Sequence, residues 1–168
     1  VSFDGGGGWW EVTDLTKLVL SHNHIREVGA DVALLEHLVA LDLSHNALES
    51  LPDSLGELMA LKSLDVSHNA LRALPEGLGH APALVQLKCS ANQLVALPES
   101  LGSSGALEVL DASNNRLTSL PEVLAHCRRL SFLDVQGNSL AQVPPSLGRL
   151  VAAGGGVLSR NRGGAGGG

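Results

Sequence analysis

The chain has 168 residues, a length suited to one ordinary domain, with 44% apolar residues but only 2% aromatic and no Tyr. Its net charge of −6, with Lys+Arg at 11, argues against a general electrostatic grip on nucleic acid. No apolar run reaches the ~18–20 residues of a membrane span, and no basic stretch followed by an apolar one opens the chain as a signal would.

Leucine must therefore carry the core, and its spacing is set by a repeat. Asn23, Asn46, Asn69, Asn92, Asn115, Asn138 and Asn161 follow one another every 23 residues without a slip. A fixed period of this length marks a repeat array, in which each unit buries its apolar face against its neighbours. With the asparagine as position 9 of each repeat, the chain divides into three parts. Residues 1–14 form an N-terminal capping segment, 15–152 hold six repeats of 23 residues, and 153–168 hold a degenerate seventh repeat and a glycine-rich flexible tail.

In the capping segment, Trp9 and Val12 fall on leucine slots of the frame, so the Trp9–Trp10 pair is expected to cover the open end of the core. Stacking on a ligand is its alternative role. The second repeat then reads Leu38, Leu41, Leu43, Asn46, Leu48, Leu51, Pro52, Leu55 and Leu58. The following four keep the pattern, with Val66, Cys89, Ala112 and Val135 at position 6 and Val143 at position 14 of the sixth.

Apolar residues at positions 4 and 6 alternate with polar ones, the period of a short strand with one buried face. Stacked repeats pair those strands into a parallel sheet at ~4.8 Å spacing. After the strand the chain turns at the asparagine, whose amide can satisfy backbone groups that the turn removes from the ladder. Those groups would otherwise be buried unpaired at roughly 1–3 kcal/mol each. The proline then fixes φ and removes a donor, which suits extended or single-turn helical backbone.

The expected fold is an α/β leucine-rich repeat solenoid, a curved horseshoe with a parallel sheet on the concave face. Short 3-10, helical or extended segments take the convex face. The pattern L-x-x-L-x-L-x-x-N-x-L with x-x-L-P-x-x-L-x-x-L is that of the leucine-rich repeat.

Cys89 and Cys127 are the only cysteines and both occupy core slots, in different repeats on opposite walls, so no disulfide between them is expected. No Asn-x-Ser/Thr acceptor occurs. A reduced, cytoplasmic setting, with cytoskeletal association left open, fits both observations. The chain opens on Val1 rather than Met, which reads as a fragment or a processed piece.

One segment carries a more specific likeness. Trp9-Trp10-Glu11-Val12-Thr13-Asp14-Leu15-Thr16-Lys17-Leu18, with Leu61-Lys62-Ser63-Leu64-Asp65-Val66-Ser67, resembles the leucine-rich repeat-containing protein 40 family and its plant and algal members. The likeness spans roughly residues 9–150 and departs at Gly5–Gly8 and at the glycine tail, where the family continues with further repeats. It implies an intracellular interaction protein, a shortened relative or a fragment, and no catalytic residues.

Positions 3, 5 and 7 face outward from the sheet. Position 5 runs Val19, Asp42, Asp65, Lys88, Asp111, Asp134 and Val157. Two readings apply to its aspartates: an acidic recognition stripe, or the solvated filler that Asp-x-Ser supplies in this repeat type. Lys88 breaks the column, as Val109 and Phe132 break position 3. The candidate contact residues are Lys17, Asp42, Asp65, Lys88, Val109, Asp111, Phe132 and Asp134. Phe132 beside Val109 is expected to be the only apolar spot on the face.

His22, His45 and His68 recur at position 8, where zinc ligation, a pH switch and a solvated rim are the readings to weigh. Asp42, Ser44 and His45 supply the residue types of a hydrolase triad, but His is out of phase with the other two. No metal, cofactor, small-molecule substrate or catalytic group is expected.

The functional expectation is a module that binds a protein partner on its concave surface, as a scaffold or adaptor in intracellular signalling. The alternatives are a regulatory or targeting subunit for a phosphatase, small GTPase or cytoskeletal assembly, and a non-catalytic fragment of a multidomain protein.

Overall fold

A computed structural model describes residues 14–148. The expected Trp9–Trp10 cap, most of the capping segment, the degenerate repeat and Asn161 lie outside the described residues. Six three-residue strands, Lys17–Val19 (β1), Ala40–Asp42 (β2), Ser63–Asp65 (β3), Gln86–Lys88 (β4), Val109–Asp111 (β5) and Phe132–Asp134 (β6), form one sheet in sequence order. All neighbouring strands pair in parallel, and the register joins equivalent positions: Leu18, Leu41, Leu64, Leu87, Leu110 and Leu133 lie side by side.

Each strand is short because the repeat asks little of it. The central leucine points inward and is buried in β2 to β6, while the residues on either side face solvent. The opposite wall is built of single 3-10 turns, Ala30–Leu34, Asp53–Glu57, Glu76–His80, Glu99–Ser103, Glu122–His126 and Pro145–Leu147. In the last five, proline precedes the turn in extended backbone with φ between −54° and −75°, as its ring dictates. In two of these repeats the acidic residue after the proline also has a structural task. Asp53 accepts the Gly77 amide at 3.1 Å and Glu76 the Ser100 amide at 3.0 Å, each in the next repeat.

Between the walls lies a single leucine core. Leu55, Leu78, Leu101 and Leu124 rise from the 3-10 turns and are fully buried, as are Leu48, Leu71, Leu94 and Leu117 after the asparagines. A buried leucine contributes roughly 1.5–3 kcal/mol relative to an exposed one. Cys89 and Cys127 occupy the core as free thiols. Val143 departs from expectation: its equivalents Leu51, Leu74, Leu97 and Leu120 are buried, but Val143 is 37% exposed.

The asparagines hold consecutive repeats together. In Asn46, Nδ2 lies 2.9 Å from the Leu20 carbonyl of the preceding repeat and 3.0 Å from its own Leu43 carbonyl. Its Oδ1 accepts the Ile25 amide of the preceding repeat at 3.0 Å. Asn69, Asn92, Asn115 and Asn138 repeat the arrangement. Among the described residues no helix is long and apolar enough to cross a membrane.

Candidate partner-binding face

All eight candidate residues lie on the strands, at the positions that flank the central leucines. Lys17 is on β1, Asp42 on β2, Asp65 on β3, Lys88 on β4, Val109 and Asp111 on β5, and Phe132 and Asp134 on β6. Since side chains alternate along a strand, they share the outward face of one sheet. Register pairs Asp42 with Asp65, Asp65 with Lys88, Lys88 with Asp111, and Asp111 with Asp134. Val109 pairs with Phe132. Lys17 stands apart, four strand spacings or about 19 Å from Val109.

The aspartates are not mere filler. In Asp42, Oδ1 accepts the Ser44 amide at 2.9 Å and the Ser44 hydroxyl at 2.7 Å. Asp111 makes the same pair of bonds to Ser113, at 3.0 and 2.7 Å. Asp65 takes the Ser67 amide and Asp134 the Gln136 amide, both at 3.0 Å. Each aspartate thus closes the turn that leaves its own strand. Partial burial opposes ionisation of Asp42, but the Ser44 hydroxyl and amide, Ser21 and His22 together hold its carboxyl below the ordinary value. The acidic column is scaffold through one oxygen and charge through the other.

Lys88 breaks that column and is drawn to one side of it. Its ammonium lies 4.0 Å from Asp65 Oδ2, with both side chains partly exposed. Such a pair is worth under about 1 kcal/mol, so a partner can displace it readily.

The apolar features differ from expectation. Phe132 is 38% exposed, but Val109 is half-buried beside it, and Val19 at the far end is 53% exposed. Phe132 is therefore not the only apolar spot on the face. A second feature escaped the sequence reading. Small residues Ala40 and Ser63 at position 3 leave an open depression of about 360 Å³ between Lys17, Val19, Asp42 and Asp65. The drop at position 3 from Lys17 to Ala40 and Ser63 was its sequence signal.

At the rim, His22, His45 and His68 stack with ring centroids 4.2 and 4.1 Å apart and planes inclined by 10°. Stacked rings do not converge on a common point, and no group of three or more His, Cys, Asp or Glu among the described residues could hold a metal ion. Desolvation first, then the neighbouring His68 and His22 charges, lower the His45 pKa, against the pull of Asp65 and Asp42. Position 8 has a backbone reason for its residue types. His22, His45, His68, Ala91, Asn114 and Gly137 all have φ between 52° and 67°, where His, Asn and Gly are tolerated better than most residues. The Ser44 hydroxyl proton is directed to Asp42 and His45 stacks between two imidazoles, so the trio does not form a nucleophile–base pair.

The fold is shared with known proteins. A leucine-rich repeat protein of Leptospira interrogans superposes with a TM-score of 0.64 at 24% identity, over 88% of this chain and 44% of that one. An internalin of Listeria monocytogenes gives a TM-score of 0.72 at 20% identity, over 91% and 50%. The chain thus spans about half the length of these two proteins. The model of the leucine rich repeat matches residues 13–71, 36–94 and 82–140. With this match along most of its length and the asparagine-linked parallel sheet it describes, the chain belongs to the leucine-rich repeat family.

Proposed function

We propose that the outward face of the sheet is the surface by which this chain holds a protein partner, as a scaffold or adaptor in cytoplasmic signalling. Leucine-rich repeats serve in general as protein-binding modules. The observation that carries the reading is the placement of the exceptions. Lys88, Val109 and Phe132 depart from the repeat at outward-facing strand positions and lie on three adjacent strands. Departures that the core does not require are where a generic scaffold acquires a choice of partner. Two free thiols support a reducing compartment. The likeness of the Trp9–Leu18 segment to the leucine-rich repeat-containing protein 40 family supports the same setting.

The test is affinity capture with the wild-type chain and with Lys88→Glu/Phe132→Ala. An outer-wall variant, Glu57→Lys/Glu122→Lys, serves as control because both residues are exposed on 3-10 turns. Partners held by wild type and control but lost by the sheet-face variant support the reading. Retention of every partner by the sheet-face variant contradicts it.

A further inference from the structure

A second surface lies where the 3-10 wall returns to the sheet. There the chain turns back over two residues in each of the first five repeats, at Glu36-His37, Met59-Ala60, Pro82-Ala83, Gly105-Ala106 and Arg128-Arg129. The second of these turns is closed by the Leu61 N–H on the Leu58 carbonyl at 3.2 Å. Backbone bonds between repeats resume just beyond the turns, with the Lys62 N–H on the Val39 carbonyl at 2.8 Å and the Val85 N–H on that of Lys62 at 2.9 Å. The turns are thus stacked in register at roughly 4.8 Å per repeat.

The first residues of these turns form an exposed column whose chemistry changes from end to end: Glu36, Met59, Pro82, Gly105 and Arg128. Met59, at 67%, is the most exposed large apolar side chain among the described residues. Gly105, as far from Pro82 on the other side, is its converse: a β-carbon there would meet nothing within 4 Å. Neither Glu36 nor Arg128 makes an ion pair among the described residues. The four repeat spacings between them, roughly 19 Å, keep them from pairing with each other in one chain.

We infer that this column is the contact between two copies of this chain, packed antiparallel about a two-fold axis at Pro82. A two-fold interface is isologous, so that residue i meets j and j meets i. With the axis across the column the order of repeats reverses from one copy to the other. Glu36 then meets Arg128 of the second copy, Met59 enters the gap at its Gly105, and Pro82 meets Pro82. The row next to the sheet obeys the same symmetry. Lys62 and Glu108 are equally far from Val85 in the sequence, and the axis sets Lys62 of one copy against Glu108 of the other.

The other two-fold arrangement, with the axis along the column, faces Glu36 with Glu36 and Arg128 with Arg128, and like charges oppose it. Each copy carries a net charge of −6, but physiological salt screens that repulsion beyond ~8 Å, so the contact pairs decide. A strip of five turns makes a small interface, and half-dimerisation is expected at about 100 μM.

The experiment is sedimentation equilibrium of the full chain from about 10 μM to about 1 mM, with NMR of the Met59 methyl group over the same range. Met59 is the only methionine, so its signal is unambiguous. The expected result is a monomer–dimer equilibrium in which that signal moves as the dimer forms. Glu36→Arg and Arg128→Glu should each weaken dimerisation roughly tenfold or more, since each change acts twice across the axis. Glu36→Arg/Arg128→Glu reverses the sign of both partners and should return the affinity to within about threefold of wild type. Both side chains are exposed, so these variants should fold as wild type does.

A chain that stays monomeric to millimolar concentration overturns the proposal and leaves the column to a different protein. A dimer indifferent to Glu36→Arg, or one that the double variant does not restore, overturns the antiparallel pairing. A dimer that shifts the Phe132 amide and leaves the Met59 methyl unmoved overturns it as well, and places self-association on the sheet face.

Discussion

The side-chain oxygen of Asn92 accepts the backbone N–H of Leu71, a residue of the preceding repeat, at 3.0 Å. Asn92 Nδ2 at the same time faces the carbonyls of Val66 and Cys89, at 3.0 and 3.1 Å. One buried side chain thus satisfies backbone groups in two repeats. Asn92→Ala strands a buried donor and at least one acceptor, at roughly 1–3 kcal/mol for each group. A loss of about 2–5 kcal/mol in chemical denaturation is expected. Asn23→Ala is the contrast, because Asn23 is exposed and, among the described residues, reaches only its own Leu20 and Ser21 carbonyls. It should cost less than about 1 kcal/mol.

Ala91 has φ of 52°, the left-handed region in which a β-carbon is crowded. Ala91→Asn or Ala91→Gly should relieve that strain and raise stability by roughly 0.5–1 kcal/mol. Gly137→Ala should do the reverse, since φ is 67° and a β-carbon there collides with the Asn114 side chain. Midpoints of urea unfolding for the three variants decide both.

His45 has its folded pKa below its ordinary 6.5, from desolvation and the flanking His68 and His22. For a depressed pKa the sign is fixed. The stabilising contribution is present above 6.5 and is lost as pH falls through the lower folded value. The chain should therefore weaken on mild acidification, and His45→Asn, which tolerates the left-handed backbone, should flatten that decline. NMR titration gives the direct check: a His45 midpoint above 6.5 contradicts the stacked arrangement.

Cys89 and Cys127 are fully buried, and burial pushes both thiols up from their ordinary range. Each also points its sulfur at a carbonyl, of Asp111 at 3.3 Å and Leu101 at 3.1 Å. Neither should react with a thiol reagent while the chain is folded, and both should label at the rate of unfolding. Rapid labelling of the native protein at either cysteine contradicts the core assignment.

Much of this architecture was legible because one period governs it. Leu41, Asn46, Pro52 and Leu55 each answer a demand that recurs in every repeat: an inward strand residue, a backbone bridge, a fixed φ and an inward turn residue. The site was legible only as exceptions to that period. Lys88 could be singled out, but its choice of Asp65 over Asp111 depends on side-chain placement that spacing does not encode. The depression over Ala40 and Ser63 was missed because small residues carry no chemistry of their own, and their effect appears only between larger neighbours such as Lys17, Asp42 and Asp65. The recurrence of His22, His45 and His68 was visible, but the left-handed backbone that position 8 imposes on them is not encoded in spacing.

The central claim is that the exceptions on the sheet choose the partner. It is tested most directly by titrating a captured partner against four chains in a calorimeter: wild type, Lys88→Glu, Phe132→Ala and the outer-wall Glu57→Lys/Glu122→Lys. Each sheet-face change should weaken binding at least tenfold, about 1.4 kcal/mol, while the outer-wall variant binds as wild type does. Undiminished binding by Lys88→Glu and Phe132→Ala, with loss in the outer-wall variant, would place recognition on the opposite wall and contradict it.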